Sequence, residues 1–332
     1  MTHIYDFNTC SLSFKNGTYG GSAGDKDGVV IDGEEWLIKY PKSLKEFSGD
    51  LSPYSTSPLS EYVGSHTYKM LEFDVHRTEL GIRNGKLVVA CKDFASEDML
   101  IEIRTIKNHT GRELSTLLEG SPMHSSETHI VDLDELLLHI DKNPILSSVE
   151  HIKDRFFEQA AVDIFINNND RNNGNWGILR GRDHPDRLAP IFDNGSSFSS
   201  KLSERKIPGV LSNPNYERNT TNVLTAYGKD GHVYNARTFF EKVHDIPEFR
   251  TAIIRVSSLI EKHMNEIKAF ISDIPEKIRY EGKTIDVITP ARKELYIKQL
   301  DTRYEKLILP ECERIREEKK KSEPARDDDI AR

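Results

Sequence analysis

Apolar residues change their spacing about a third of the way along the chain, and that switch limits the fold more than any other feature. Before residue 94 they come in short runs broken by tight-turn dipeptides. Residues 29–38 carry Asp32-Gly33 between two apolar segments, and residues 81–90 carry Asn84-Gly85 in the same place. Both patterns predict β-hairpins. Between them, Val63, His66, Met70 and Leu71 recur at helical steps within 59–73, after a Ser-, Pro- and Gly-rich loop at 48–57. Beyond about residue 110 the steps become three and four, predicting helices over 132–140, 148–166, 234–243 and 247–271. Thr289-Pro290 reads as an N-cap and first-turn proline opening a helix that runs toward Leu309. The expectation is an α+β chain: a β-rich N-lobe over 1–94, a mainly helical C-lobe over 95–312, and a charged tail over 313–332 that frays from a helix into disorder.

With 332 residues, 36% hydrophobic and 30% charged, the chain has material for a substantial core. No apolar run approaches the ~20 residues of a membrane span. The amino terminus lacks the basic and then apolar pattern of a secretory signal. Cys10, Cys91 and Cys312 lie far apart without C-x-x-C spacing, which argues against a disulfide framework or a structural zinc site. A reducing, cytoplasmic setting is therefore expected, with export by a route that needs no signal peptide left open. A net charge of −8, with no basic tract ahead of the tail, gives nucleic acid little electrostatic hold. Residues 194–227, dense in Ser, Asn, Thr and Pro, read as a long functional loop.

The densest chemistry lies in 162–177, Val-Asp-Ile-Phe-Ile-Asn-Asn-Asn-Asp-Arg-Asn-Asn-Gly-Asn-Trp-Gly, followed by Asp193 in Ala-Pro-Ile-Phe-Asp-Asn-Gly. An Asp, an Asn five residues on, and a second Asp after an apolar strand are how kinase-type sites hold metal–ATP. Asp170 is placed to orient a substrate hydroxyl, and Asn175 and Asp193 to ligate magnesium, which prefers oxygen donors. A plainer reading makes 167–170 a helix cap and turn. Against it stand the short apolar runs 176–179 and 189–192, which would set Asn175 and Asp193 side by side.

Upstream, 15–24 offers four glycines. Gly20, Gly21 and Ser22 could bring backbone N–H groups close to phosphate, although the turn lacks the Walker A spacing and also reads as a flexible hairpin loop. Lys39 interrupts an apolar strand, on the same face as Leu37. A buried ammonium needs a partner, and Glu61, in the first turn of the following helix, is the candidate; its ordinary role there is to complement the helix dipole. Lys92, Asp93 and Phe94 end the next apolar strand, where an adenine-contacting hinge would lie.

These residues resemble the HipA-like serine/threonine kinases, in particular the short, stand-alone CtkA type rather than the longer toxin. The likeness is carried by Trp36-Leu37-Ile38-Lys39-Tyr40-Pro41, Ser60-Glu61-Tyr62-Val63, Val88-Val89-Ala90-Cys91-Lys92-Asp93-Phe94, and residues 170–179 and 189–198. It implies a minimal protein-kinase-like bilobal fold that uses ATP and Mg2+ to phosphorylate a protein hydroxyl. Asp170 would be the catalytic base, Asn175 and Asp193 the metal ligands, Lys39 the phosphate-binding lysine and Glu61 its ion-pair partner. It also implies self-phosphorylation, with Ser22 and then Thr18 as candidates, and admits an antitoxin-like regulator. The protein substrate is not encoded in any motif.

One position departs from the family. Asn172 stands where a histidine usually follows Asp-Arg, and an asparagine cannot carry a proton or a charge. That departure supports a second reading, a nucleotide-binding pseudokinase or scaffold. A third, a phosphoinositide-type lipid kinase, shares the Asp-Arg-x-x-x-x-Asn loop. Its anionic substrate face would have to come from Lys201, Arg205, Lys206, Arg218 and Lys229 within 196–230.

Overall fold

The computed structural model describes residues 2–17, 26–43, 55–114 and 130–322. Six strands form the first sheet: β1 (Tyr5–Asp6), β2 (Ser11–Leu12), β3 (Lys26–Ile31), β4 (Glu34–Lys39), β5 (Thr78–Arg83) and β6 (Lys86–Lys92). Their order is β1-β5-β6-β4-β3-β2. The hairpins β3–β4 and β5–β6 form around the dipeptides that predict them. Asp32, Gly33, Asn84 and Gly85 all have positive φ, as a two-residue turn matched to strand twist requires. β4 joins the hairpins by pairing with β6, which sets Lys39 opposite Val89.

The helix α1 (Ser57–Met70) packs on β5 and β6. Pro58 favours its first turn, and the chain turns out of it at Glu72, whose φ is 64°. Leu59, Tyr62, Val63 and Tyr68 are buried, so this helix is a central element between the sheet and the helical lobe.

The remaining elements are β7 (Met99–Glu102), α2 (Ile103–Leu114), β8 (Val131–Asp132), α3 (Leu133–Lys142), α4 (Ile152–Ile166), β9 (Gly177–Arg180) and β10 (Arg187–Leu188). After them come α5 (Ile207–Leu211), α6 (Tyr216–Thr221), β11 (Leu224–Lys229), β12 (His232–Asn235), α7 (Ala236–Val243) and α8 (Pro247–Asp273). The chain continues through β13 (Lys277–Tyr280), β14 (Lys283–Asp286), α9 (Pro290–Arg303) and α10 (Leu309–Ser322), with a π-helical turn at Tyr304–Ile308. Small sheets β10-β9-β7, β12-β11-β8 and β13-β14 fringe the helices. Side chains of Asp132, Asn235 and Thr289 cap α3, α7 and α9 by accepting backbone N–H bonds.

A β-sheet N-lobe and a helical C-lobe share one apolar core that runs from Leu80 and Val89 through α1 to α4 and α8. The Phe157 and Phe249 rings meet edge-on at 5.8 Å, and Phe156 lies 5.9 Å from Trp176. A smaller cluster of Phe7, Val29, Trp36, Ile38, Val88 and Ala90 covers the other face of the first sheet. Among the described residues no helix is long and apolar enough to cross a membrane.

Several expectations need correction. The helix foreseen over 148–166 begins at Ile152, because His151 takes a left-handed conformation and Leu146–Ser148 form a separate 3-10 turn. Residues 194–227 are not one long loop. They hold α5, α6 and the start of β11, and Ile207 and Tyr216 pack with Leu295 of α9. Helices of five and six residues are too short to show a period. The strand foreseen over 189–192 reduces to a single bridge between Val75 and Ile191, with β10 just before it. The start of the tail, expected to be a fraying helix, is helical through Ser322 and anchored. Ile315 is buried and Glu318 reaches Arg250 at 2.7 Å, contacts that composition cannot reveal.

Replacing Phe157 with Ala should remove about 3–5 kcal/mol of stability, the usual cost of a buried phenyl, and lower the urea midpoint accordingly.

Candidate active site

Lys39 ends β4 on the face opposite buried Trp36 and Ile38, so its chain points toward α1. Its Nζ donates to Glu61 Oε2 at 3.0 Å and to Asp193 Oδ1 at 2.9 Å. Glu61 is 1% exposed, and its other oxygen accepts from His76 Nε2 at 3.0 Å and from the Asn194 N–H at 2.9 Å. A carboxylate that deep needs several donors, and here it has them. Burial works against its charge. The Lys39 ammonium and His76 outweigh burial and hold the carboxyl below the usual range. Burial likewise opposes the Lys39 charge, and Asp193 with Glu61 raise its pKa well above an ordinary lysine's. Asp193 is lowered by Lys39 in the same way.

His76, Cys91 and Glu61 also bring ligand atoms within 4.8 Å of one another. Glu61 is already engaged through both oxygens, and burial pushes the Cys91 thiol far up, which keeps it protonated. That trio is a packed support for Lys39.

The loop after α4 is organised around one guanidinium. Arg171 is 1% exposed and binds Asp163 of α4 through Nε at 2.8 Å and Nη2 at 3.1 Å. Its Nη1 donates to the Asn175 carbonyl at 2.9 Å and to the Phe192 carbonyl; its Nη2 also donates to Asn194 Oδ1 at 2.6 Å. Asp163 further accepts from Tyr68 Oη at 2.8 Å and Asn168 Nδ2 at 3.0 Å. Burial opposes the Arg171 charge, and the Asp163 carboxylate more than restores it.

Asp170 stands at the rim of this frame. Its Oδ1 accepts from Asn172 Nδ2 at 3.1 Å, and its Oδ2 accepts from Ser196 Oγ at 3.4 Å. Asn172 also accepts from the Gly174 N–H at 2.9 Å, closing the turn. Asn175 gives its amide nitrogen to the Asp170 carbonyl, which leaves the amide oxygen for another partner. A Cβ at Gly174 would stand 1.9 Å from the end of the Arg104 side chain, which would have to move aside.

Of the residues singled out in the sequence, Lys39, Glu61 and Asp193 meet directly, and Asp170 and Asn175 meet through the loop backbone. Arg171 ties the two groups together. At the expected hinge, the N–H groups of Lys92, Asp93 and Ala95 donate to Arg77 O, Glu35 O and Asp93 Oδ1. Phe94 packs 5.4 Å from Phe192. Thr18, Gly20, Gly21 and Ser22 lie outside the described residues. Sequence reasoning missed Arg171, Asp163, His76 and Asn194. Asp163 was visible as the one acid among Ala160–Ile166, a buried run where a charge requires a partner.

The donors suit a hard divalent cation. Asp193 is 40% exposed, and beyond the oxygen held by Lys39 it has a second to offer; Asn175 presents an amide oxygen. Asp193 holds this place with φ at 60°, a conformation that costs energy outside glycine and recurs at functional sites.

Comparisons with known proteins agree with the fold. The chain matches no family profile. A curated protein of Helicobacter pylori strain J99, serine/threonine-protein kinase CtkA, is 32% identical over 213 residues, 63% of this chain and 60% of that protein. The match therefore spans less than two thirds of the curated relative's length. The crystal structure of a Helicobacter pylori proinflammatory kinase CtkA aligns with a TM-score of 0.78 at 26% identity, covering 95% of this chain and 99% of that one. Shewanella oneidensis MR-1 HipA, solved with HipB and its operator DNA, aligns with a TM-score of 0.50 at 13% identity over 90% of this chain and 67% of that one.

Asp163→Ala would leave the Arg171 charge buried and unpaired, and should cost about 3–5 kcal/mol, read as a lower denaturant midpoint. The ion-pair cluster sets a pH signature. Glu61 and Asp193 have depressed pKa values when folded. The stability they contribute is thus present above the ordinary carboxylate pKa of about 4 and is lost as pH falls toward their folded values. Lys39, raised in the fold, contributes below its ordinary pKa and loses that contribution only in strong base. Between about pH 5 and pH 3, around the ordinary carboxylate pKa, wild type should lose stability more steeply than Lys39→Met, measured by urea unfolding at each pH.

Proposed function

We propose that the chain is a kinase of the HipA-like, CtkA type and that it transfers the γ-phosphoryl group of Mg–ATP to a serine or threonine hydroxyl of a protein. The observation that carries this reading is the Asp170 carboxylate, oriented by Asn172 and joined through Arg171 to the Lys39–Glu61–Asp193 cluster. Phosphoryl transfer asks a protein mainly for positioning and charge stabilisation, and the parts present divide that work.

Lys39 is the cation for the nucleotide phosphates. Glu61 fixes its direction, and His76 with the Asn194 N–H fixes Glu61. Asp193 and the Asn175 amide oxygen would hold Mg2+, which neutralises phosphate charge when bound. Asp170 accepts the proton of the acceptor hydroxyl as the new bond forms. The segment 92–94 is the proposed adenine hinge, and the glycine-rich turn with Gly20, Gly21 and Ser22 the proposed phosphate cover.

The pseudokinase reading rested on Asn172. In the fold that residue donates to the Asp170 carboxylate and accepts from the Gly174 N–H, so it orients the base. What the substitution removes is a titratable neighbour, while the base and both metal ligands stay in place. The likeness to HipA, at 13% identity, is one of fold alone.

The test is 32P transfer from ATP to the chain itself and to casein. Asp170→Ala should lower the rate by about 10²–10⁴-fold, the usual worth of a positioned base, while nucleotide binding survives. Equal labelling by wild type and variant would exclude transfer through this site, and tight ATP binding without transfer would favour the scaffold.

A further inference from the structure

Backbone hydrogen bonds stitch the start of α2 to the Asp170 loop. Glu102, the last residue of β7, pairs with Gly177 in the ladder. The Ile103 N–H donates to Trp176 O at 3.2 Å, and the Arg104 N–H to Asn173 O at 2.8 Å. The first amides of a helix have no acceptor within it, and here the loop carbonyls cap them. One turn on, Lys107 and Glu135 of α3 form an ion pair at 2.8 Å with only 4% and 6% of their side chains exposed. Parting a pair so deeply buried is costly, so α2 keeps one position against the loop.

Arg104 is the side chain that this arrangement brings to the loop. A Cβ built on Gly174 would meet Arg104 Nη2 at 1.9 Å, Arg104 Cζ at 2.8 Å and Asn172 Oδ1 at 3.2 Å. The guanidinium therefore lies against the bare Cα of Gly174, on the flank of the turn that Asn172 closes. Asn172 in turn donates to Asp170 Oδ1 at 3.1 Å. One side chain separates this cation from the proposed base.

The fold itself makes little use of the Arg104 charge. Its Nη2 donates to Glu102 Oε2 at 3.0 Å, with 41% and 37% of the two side chains exposed. An ion pair so open to water contributes little, and one carboxylate there exchanges readily for another. Arg171 is the opposite case, a buried guanidinium engaged on every side.

Resting on the kinase reading above, we propose that Arg104 selects the acceptor, by pairing with an acidic side chain one or two residues from the hydroxyl that is phosphorylated. An extended acceptor advances about 3.3 Å per residue. A hydroxyl held at Asp170 thus carries its near neighbours past Asn172 to the guanidinium. The planar fork matches a carboxylate through two parallel hydrogen bonds, which a lysine's point charge does not. The incoming carboxylate replaces Glu102, and Glu102 returns to water. A chain of net charge −8 offers an acidic acceptor no general attraction, so the preference is set locally, at Arg104.

The full chain is incubated with Mg–ATP and short peptides that carry one serine in a neutral background. Glu and Gln are compared at each of the two places on either side of the serine. At the favoured place, Glu should raise kcat/KM about 10-fold over Gln, the usual worth of a charge-assisted hydrogen bond, mostly through the peptide KM. The preference should shrink as salt is raised. Arg104→Gln should abolish it, and Arg104→Lys should retain part of it. Arg104→Glu should turn the preference toward Lys at the same place, a reversal that misfolding cannot produce. Glu102→Gln, which removes the competing carboxylate, should enlarge the preference in a chain that keeps Arg104. Equal kcat/KM for Glu and Gln peptides, or a preference that survives in Arg104→Gln, overturns the inference and spares the parent reading. Casein labelled while no peptide is labelled does the same, because recognition would then rest beyond the reach of Arg104. A loss in Arg104→Gln that falls on the KM for Mg–ATP makes the residue a nucleotide ligand and also overturns it. Absence of label on peptides and casein alike sinks the parent reading and this one together.

Discussion

A guanidinium with no access to water has to be satisfied on every side, and Arg171 is where this fold meets that requirement. Asp163 neutralises it from α4, and two backbone carbonyls and the Asn194 amide take its remaining donors. Those acceptors belong to three separate stretches: the helix before the loop, the loop itself, and the segment that carries Asp193. Desolvating such a charge is costly, and the cost is recovered only when all of its partners are in place. The pair thereby favours one mutual placement of the Asp170 loop and the Asp193 segment over any looser alternative.

A second charge centre, at Lys39, faces the first across Asn194. The backbone N–H of Asn194 holds Glu61 and its side-chain oxygen holds Arg171, so a single residue registers the N-lobe helix against the Asp170 loop. Lys39 is shared between Glu61 and Asp193 at nearly equal distances. An ammonium already oriented by two carboxylates is directed before any phosphate arrives, and preorganised charge of that kind is the main source of catalytic stabilisation in such sites.

Much of this was readable from the sequence, and the reasons are specific. The hairpins declared themselves because Asp-Gly and Asn-Gly are among the few dipeptides at ease with two consecutive positive φ values. Helices α1, α8 and α9 were legible because each carries several turns of periodic apolar residues or a cap. Helices α5 and α6 were not, since five or six residues cannot display a period. In the site, Asp170, Asn175, Asp193, Lys39 and Glu61 were picked out by type and spacing. Their supporting partners were not, because His76 and Asn194 act through tertiary contacts that no local pattern encodes. Asn172 looked like a defect in sequence; in the fold it donates to the Asp170 carboxylate and accepts from the Gly174 N–H.

The central claim is that one nucleotide–metal site is assembled from Lys39, Glu61, Asn175 and Asp193, with Asp170 at its reacting end. A crystal structure with a non-hydrolysable ATP analogue and magnesium tests it most directly. The account predicts magnesium on the Asp193 carboxylate and the Asn175 amide oxygen, and Lys39 on a phosphate oxygen while still bonded to Glu61. Asp170 should face the γ-phosphate. Nucleotide seated elsewhere, or metal held without Asn175 and Asp193, would contradict it.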